Sequence, residues 1–195
     1  HEQISYYEAL KYLARKYHIE FQERELSAEE MAIRNDRESM FLVNEFAQKH
    51  FSSTLHNHID GKSIGLGYFR ERGFRDDIIQ KFQLGYSLDQ RDAFTQSAIK
   101  AGYNKEYLVK TGLTLEGDNG YLADRFRGRV MFPVHSLSGK VVAFGGRILK
   151  KDDKMAKYVN SPESEIYHKS TELYGIYFAK QAIVRQDRCF LVEGY

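Results

Sequence analysis

Cations gather in one stretch of this chain. Between Arg125 and Lys157 lie nine Lys or Arg (Arg125, Arg127, Arg129, Lys140, Arg147, Lys150, Lys151, Lys154, Lys157) against two acids, Asp152 and Asp153, while all other residues together hold 20 bases and 25 acids. A chain whose formal net charge is only +2 is therefore two objects of opposite sign. A lopsided field of this kind is a usual footprint of polyanion binding. Arg125, Arg127 and Arg129 alternate. If that segment is extended, their guanidinium groups point to one face at intervals of about 6.5 to 7 Å, close to the spacing of successive phosphates along a stretched strand. A solvated strand face, with the arginines paired to Asp124 and to distant acids, is the other reading of the same pattern. Gly145-Gly146-Arg147 lets backbone approach a ligand closely, although a glycine pair by itself usually marks a bulge. Lys150 to Lys157 reads as a charged loop, and Tyr158 to Glu163 has turn chemistry because the residue before Pro162 is pushed extended and Asn and Ser bond locally.

Other chemistry is sparse. His56-Asn57-His58 holds two imidazoles without a third and fourth ligand nearby, so a polar loop is expected there rather than a metal site. Cys189 is the single cysteine, which excludes an internal disulfide framework and a cluster of zinc thiolates and fits a reducing compartment. No stretch reads as a signal peptide or an 18-residue apolar span, so a cytoplasmic protein without membrane contact is expected. The 14 Tyr and 13 Phe serve cores, and beside basic residues they suit stacking on single-stranded bases.

The elements that must position these groups change character along the chain. Ser5 to Glu8 and Ser27 to Glu30 are capping boxes opening two helices. Ile4, Tyr7, Leu10, Ala14 and Tyr17 recur at helical spacing after the first. The second runs to roughly His50, as one long helix or one broken at the polar stretch Arg34 to Ser39. His18 to Phe21 alternates like a short strand. A helix from Lys62 is stopped by Gly73, and another starts at Arg75 with Ile78, Ile79 and Phe82 inward. Leu84 to Ser87 is extended, Asp89 to Ala101 and Asn104 to Thr111 are helices ended by Gly102 and Gly112, and Leu113 to Leu115 is extended before the turn Gly117 to Gly120. Strands then dominate: Arg129 to His135 and Lys140 to Phe144 flank the hairpin residues Ser136 to Gly139. Pro133 lacks an N–H and belongs at an edge or a bulge. A helix from Ser170 through Gln181 carries Leu173, Tyr177 and Ile183 inward, and Cys189 to Val192 is a short apolar strand turning at Glu193 to Tyr195. The pattern predicts an α+β chain, a small helical layer packed on a mixed, mainly antiparallel sheet. A closing apolar strand without a visible partner predicts a piece of a longer protein.

These residues resemble the catalytic core of the bacterial DnaG-type DNA primases. The resemblance rests on Arg125-Phe126-Arg127-Gly128-Arg129-Val130-Met131-Phe132-Pro133, on Phe144-Gly145-Gly146-Arg147, on Lys157-Tyr158-Val159-Asn160-Ser161-Pro162-Glu163, and on Tyr167-His168-Lys169 with Leu173-Tyr174-Gly175. Tyr68 to Phe74 and Phe82 to Tyr86 resemble the start of that core, and Leu191 to Tyr195 the opening strand of a TOPRIM fold. On this resemblance, residues 1–26 are the helical tail of a preceding zinc-binding domain, 27–58 a helical connector, 59–187 the N-terminal subdomain of the primase catalytic core, and 188–195 the first strand of a truncated TOPRIM domain.

What the resemblance implies is a nucleotidyltransferase that makes short RNA primers on single-stranded DNA for replication. This fragment would supply the basic template and nucleotide surface and be inactive alone. Arg72, Arg125 and Arg127 take the role of template-tracking residues; Arg147, Lys157 and Lys169 face the metal site and hold triphosphate or the primer–template junction; Tyr158 and Asn160 touch template bases or sugars. Glu193 takes the role of the catalytic, metal-linked carboxylate. The expected cofactor is Mg²⁺ or Mn²⁺ in a complete TOPRIM site. Zinc belongs to the absent N-terminal domain, and none is expected in this fragment. Expected partners are single-stranded DNA, ribonucleoside triphosphates and, through parts outside the fragment, a replicative helicase and single-strand-binding protein. Two readings of other classes stand beside this one: a non-catalytic module binding single-stranded nucleic acid, and part of another TOPRIM enzyme, a nuclease or topoisomerase.

Overall fold

The computed structural model describes residues 6–19, 27–150 and 155–193. Helix α1 (Tyr6–Lys16) comes first; Ser5 and the second half of the stretch expected as a strand at His18 to Phe21 lie outside the described residues, and His18 itself turns with φ 52° instead of extending. Helix α2 (Ala28–Asn57) opens with the expected capping box, the Glu30 N–H donating to Ser27 Oγ at 3.1 Å and the Ser27 N–H to Glu30 Oε2 at 2.9 Å. It is one unbroken helix. Its polar middle stays helical because it has partners: Asp36 accepts from Tyr107 Oη at 2.8 Å and Lys110 Nζ at 3.0 Å, and Arg37 donates to the Glu165 carbonyl.

A π-helical turn (Gly61–Leu66) runs into α3 (Gly67–Glu71), followed by α4 (Asp76–Lys81), strand β1 (Gly85–Ser87), α5 (Ala93–Lys100) and α6 (Lys105–Lys110). Helix α5 begins four residues after the expected Asp89. Its first free N–H groups, Phe94 and Thr95, are capped at 2.8 and 2.9 Å by the buried Asp124 carboxylate, not by a neighbour in sequence. The Thr95 hydroxyl donates to the same carboxylate at 2.7 Å. Burial pushes the Asp124 carboxyl above its ordinary range, and these donors pull it back down.

Strands β2 (Thr114–Glu116) and β3 (Leu122–Asp124) form a small hairpin. Strands β4 (Arg129–His135), β5 (Val141–Ile148) and β6 (Tyr158–Asn160) join β1 in a four-stranded sheet of order β1-β4-β5-β6, with every pairing antiparallel. Pro133 falls where β4 is locally an edge, since β1 pairs only Arg129 to Met131, and the register shifts just beyond it between Val134 and His135. The glycine pair makes no bulge: Gly145 and Gly146 lie in regular register opposite Phe132 and Met131. A Cβ on Gly146 would come within 2.7 Å of the Phe126 ring and 3.1 Å of Arg129 Cδ, so this glycine makes room for both side chains. Tyr158 to Asn160, expected as a turn, is an edge strand; hydrogen bonds to β5 override the local turn preference.

The core lies between the helices and this sheet. On one side Val43, Ala47 and Phe51 of α2 pack with Phe94, Ala98, Leu108, Phe126 and Phe144; on the other Leu55, Phe69, Ile79 and Leu84 pack with Tyr86, Val130 and Phe132. Helix α7 (Ile176–Gln186) starts later than expected because Gly175 stands before it at φ 82°. It has no buried residue and is held through its rings: Phe178 lies 4.7 Å from Phe82 and 4.9 Å from His135, and Tyr177 stacks on His135 at 5.7 Å. Leu173, expected inward, is half exposed. The strand expected at Cys189 to Val192 is absent: these residues are irregular, and Phe190, Leu191 and Val192 are exposed. An apolar segment becomes a strand only by pairing, and no described strand lies beside it. Among the described residues no helix is long and apolar enough to cross a membrane.

Candidate nucleic-acid interface

Three elements converge on one row of rings and cations. Helix α3 presents Tyr68, and Arg72 caps its end four residues later, so the Arg72 guanidinium lies 5.7 Å from the Tyr68 ring. The far end of β5 presents Arg147 against the same ring at 4.6 Å. Strand β6 brings Tyr158 to 6.0 Å from the Arg147 guanidinium, and Lys157 lies 5.9 Å from the Tyr158 ring. The order is Arg72, Tyr68, Arg147, Tyr158, Lys157, cation alternating with aromatic face. Each contact is of the cation–π kind. At the centre of the row, the Nε–H of Arg147 is buried without a hydrogen-bond acceptor among the described residues. Arg129 Nε is buried in the same way, and neither is open to a ligand; what Arg147 offers a ligand is its charge and the terminal N–H groups of its guanidinium.

Backbone geometry sets the row. Arg129 is buried at 2% exposure and donates to three carbonyls, Ala156 at 2.9 Å, Lys157 at 3.2 Å and Gly146 at 3.4 Å. It thereby fastens the chain entering β6, from which Lys157 and Tyr158 project. Ser161 closes the same strand on β5, its N–H donating to the Phe144 carbonyl at 2.9 Å while its hydroxyl accepts from the Phe144 N–H at 3.0 Å.

The alternate-arginine face does not form. Residues 125–128 are a turn, with Gly128 at φ 67°, and the three side chains diverge. Arg125 Nε donates to the Gly112 carbonyl at 2.7 Å, Arg127 pairs with Asp89 at 3.4 Å, and Arg129 points inward. The physical reason is the turn itself: Gly128 takes a positive φ that an extended run does not have, while the Phe126 ring still reaches the core, where it is 1% exposed. Arg125 is half-buried, and burial lowers its pKa. Arg125→Ala should therefore act on folding, lowering stability by about 1 to 2 kcal/mol in urea titration and barely changing the salt dependence of any polyanion binding; a salt slope shallower by a full unit at unchanged stability would contradict it.

The remaining expected residues lie apart from the row. Asn160 is half-buried, paired with Gly145 in β6. Lys169 is exposed, its backbone N–H donating to Glu163 Oε1 at 3.0 Å. Glu193 is exposed, and no three His, Cys, Asp or Glu gather to hold a metal ion among the described residues. The residues present therefore do not make up a magnesium or manganese site. Sequence reasoning missed Tyr68 and Asp89 as members of the basic surface, and with Asp89 the carboxylate that Lys150 pairs with. The Tyr68–Arg72 pair had a signal, the four-residue spacing on an expected helix; Asp89 and Lys150 are 61 residues apart and had none.

Residues 50–180 match the DNA primase catalytic core, N-terminal domain. The DNA primase of Halalkalibacterium halodurans C-125 is 38% identical over the whole of this chain, which covers 32% of that protein, and the DNA primase of Pasteurella multocida Pm70 is 39% identical over 79% of the chain, covering 25% of that protein. The chain thus spans a third or less of these relatives. Among solved structures, the RNA polymerase domain of Mycobacterium tuberculosis primase DnaG superposes with a TM-score of 0.74 at 34% identity, covering 82% of this chain and 51% of that one. A DnaG primase catalytic domain bound to single-stranded DNA superposes with a TM-score of 0.73 at 32% identity, covering 83% and 51%. With the fold and more than half of the sequence matched, the chain belongs to the family of the DNA primase catalytic core, N-terminal domain.

Proposed function

We propose that this chain is the template-gripping part of a cytoplasmic DNA primase, which makes short RNA primers on single-stranded DNA for replication. The observation that carries the reading is the row centred on Arg147, two aromatic faces interleaved with three cations. Rings offer stacking to bases of any sequence, and cations track phosphates. The likeness to a primase domain solved with single-stranded DNA supports it.

In this reading Arg147 and Lys157 neutralise charge on the triphosphate oxygens as a 3′-hydroxyl, giving its proton to a base or to water, attacks the α-phosphate, the bond to the β-phosphate breaks and pyrophosphate leaves. Arg72 and Tyr68 extend the same surface along the template, and Arg129 holds the backbone that aims Lys157. Asn160, two residues along β6 from Tyr158, and Lys169, apart from the row, belong to this reading as further contacts of template or primer. Ribonucleoside triphosphates, a replicative helicase and single-strand-binding protein are the partners the whole protein would meet. Glu193 as a carboxylate of a magnesium or manganese site in a TOPRIM fold is part of this proposal.

The test is fluorescence anisotropy of a labelled single-stranded oligonucleotide over a salt series. Binding should weaken steeply with salt, and Arg147→Ala should lower affinity by about tenfold while making the salt slope shallower by roughly one unit. Binding that ignored salt and this substitution would sink the reading. Template-directed ribonucleotide synthesis by the full-length protein then separates a primase from a non-catalytic binding module and from a nuclease or topoisomerase.

A further inference from the structure

A second cationic pair lies off the row. Arg127, from the turn 125–128, and Lys150, just past the end of β5, both bind one carboxylate, Asp89: Arg127 Nε at 3.4 Å from Oδ1, and Lys150 Nζ in close contact with Oδ2. Two cations from separate parts of the chain thus share a single acid, and all three side chains are substantially exposed, at 45%, 74% and 39%.

The place of Asp89 is set by backbone and does not depend on these ion pairs. The Gly128 N–H donates to the Leu88 carbonyl at 3.1 Å and the Asp124 N–H to the Arg91 carbonyl at 2.7 Å, so the turn carrying Asp89 is fastened to the turn carrying Arg127. Gly128 leaves the acid its room, for a Cβ there would lie 3.2 Å from Asp89 Oδ1. The carboxylate is therefore held between the two cations in the free protein, in the position an anionic ligand bridging them would take. Its two oxygens stand in for two oxygens of a phosphodiester.

We propose that the Asp89 carboxylate is a built-in competitor for the nucleic-acid backbone at Arg127, and that Lys150, sharing the same carboxylate, is a second phosphate contact there. The proposal rests on the nucleic-acid reading above, including the template role that the family resemblance gives Arg127, and adds Lys150 and a residue that tunes the grip. Exposed ion pairs are weak and screened by salt, so a strand already anchored on the Arg147 row displaces the carboxylate readily. The acid then sets how tightly the strand is held: it prevents the two cations from adding their full counterion-release contribution and so favours a grip that can slide.

The experiment compares the 195-residue protein with Asp89→Asn, which keeps the side-chain shape and removes its charge, using a labelled oligothymidylate as the probe in anisotropy titrations from low to moderate salt. Asp89→Asn should bind about 3- to 10-fold more tightly at low salt, with a salt slope steeper by roughly one unit. In the Asp89→Asn background, Arg127→Ala plus Lys150→Ala should erase the whole gain, which a double-mutant cycle reads as coupling. Equal melting midpoints for wild type and Asp89→Asn keep folding out of the comparison, and Asp89→Ser repeats the test with a second side chain. Unchanged or weakened binding by both variants, with Arg147→Ala still harmful, would overturn the competitor role and leave the nucleic-acid reading standing. A wild type that binds no oligonucleotide overturns both.

Discussion

Asp124→Ala is expected to unfold this protein more readily than any substitution on its basic surface. The carboxylate accepts from the Phe94 and Thr95 N–H groups and the Thr95 hydroxyl, all buried, and it replaces the N-cap that the sequence before α5 does not supply. Removing it leaves two helix-terminal donors without an acceptor and the Thr95 hydroxyl with only Thr114 Oγ1, 2.7 Å away, at a cost of about 3 to 4 kcal/mol. Urea titration should show the midpoint falling at unchanged slope, because the exposed area on unfolding is the same. Loss of function should follow from the same cause: the Asp124 N–H bonds to the Arg91 carbonyl, and the turn with Arg127 begins at the next residue, so a loosened Asp124 frees the surface that Asp89 and Arg127 share. A stability loss below about 1 kcal/mol would show that water or another group caps α5 instead.

The second large effect is a dependence of stability on pH. His135 is buried against the rings of Tyr177 and Phe178, its Nε2 2.9 Å from Gln83 Oε1, and burial pushes its pKa from the ordinary 6.5 down to about 4. A base whose folded pKa is depressed contributes stability above its unfolded pKa and loses it as pH falls. Between pH 6.5 and about 4 the unfolded chain takes a proton that the folded one refuses, a difference of up to about 3 kcal/mol, reduced where the ring edge meets solvent. Thermal melts at pH 7 and pH 4.5 should differ accordingly, and His135→Phe should flatten the difference. His50 is shifted in the same direction by burial, so a residual slope remains in that variant. A wild type and His135→Phe with identical pH profiles would refute the assignment. The consequence reaches α7, which has no buried residue of its own and depends on the His135 face for its seat.

Much of this architecture was legible in the sequence, for reasons that are local. The Ser27 to Glu30 capping box, the hairpin at Ser136 to Gly139 and the β4 strand follow from hydrogen bonds and φ preferences spanning a few residues and stand where expected, while β5, expected to end at Phe144, runs on through the glycine pair to Ile148. The charge segregation and the motifs carrying the family resemblance are composition and order alone. The direction of each cation was not legible. Alternation predicted one face for Arg125, Arg127 and Arg129, yet the backbone turns over residues 125–128, with Gly128 at φ 67°, and sends the three to a carbonyl, a carboxylate and the interior. Tyr158 to Asn160 looked like a turn until β5 offered it hydrogen-bond partners, and Cys189 to Val192 looked like a strand where no partner lies beside it. Local propensity is worth tenths of a kcal/mol to about 1 kcal/mol per residue, whereas burying a phenylalanine ring is worth about 2 to 3 kcal/mol. The chain by itself therefore determined which residues could bind a polyanion. Tertiary packing decided that Arg147 is set between Tyr68 and Tyr158, and that Asp89 lies between Arg127 and Lys150.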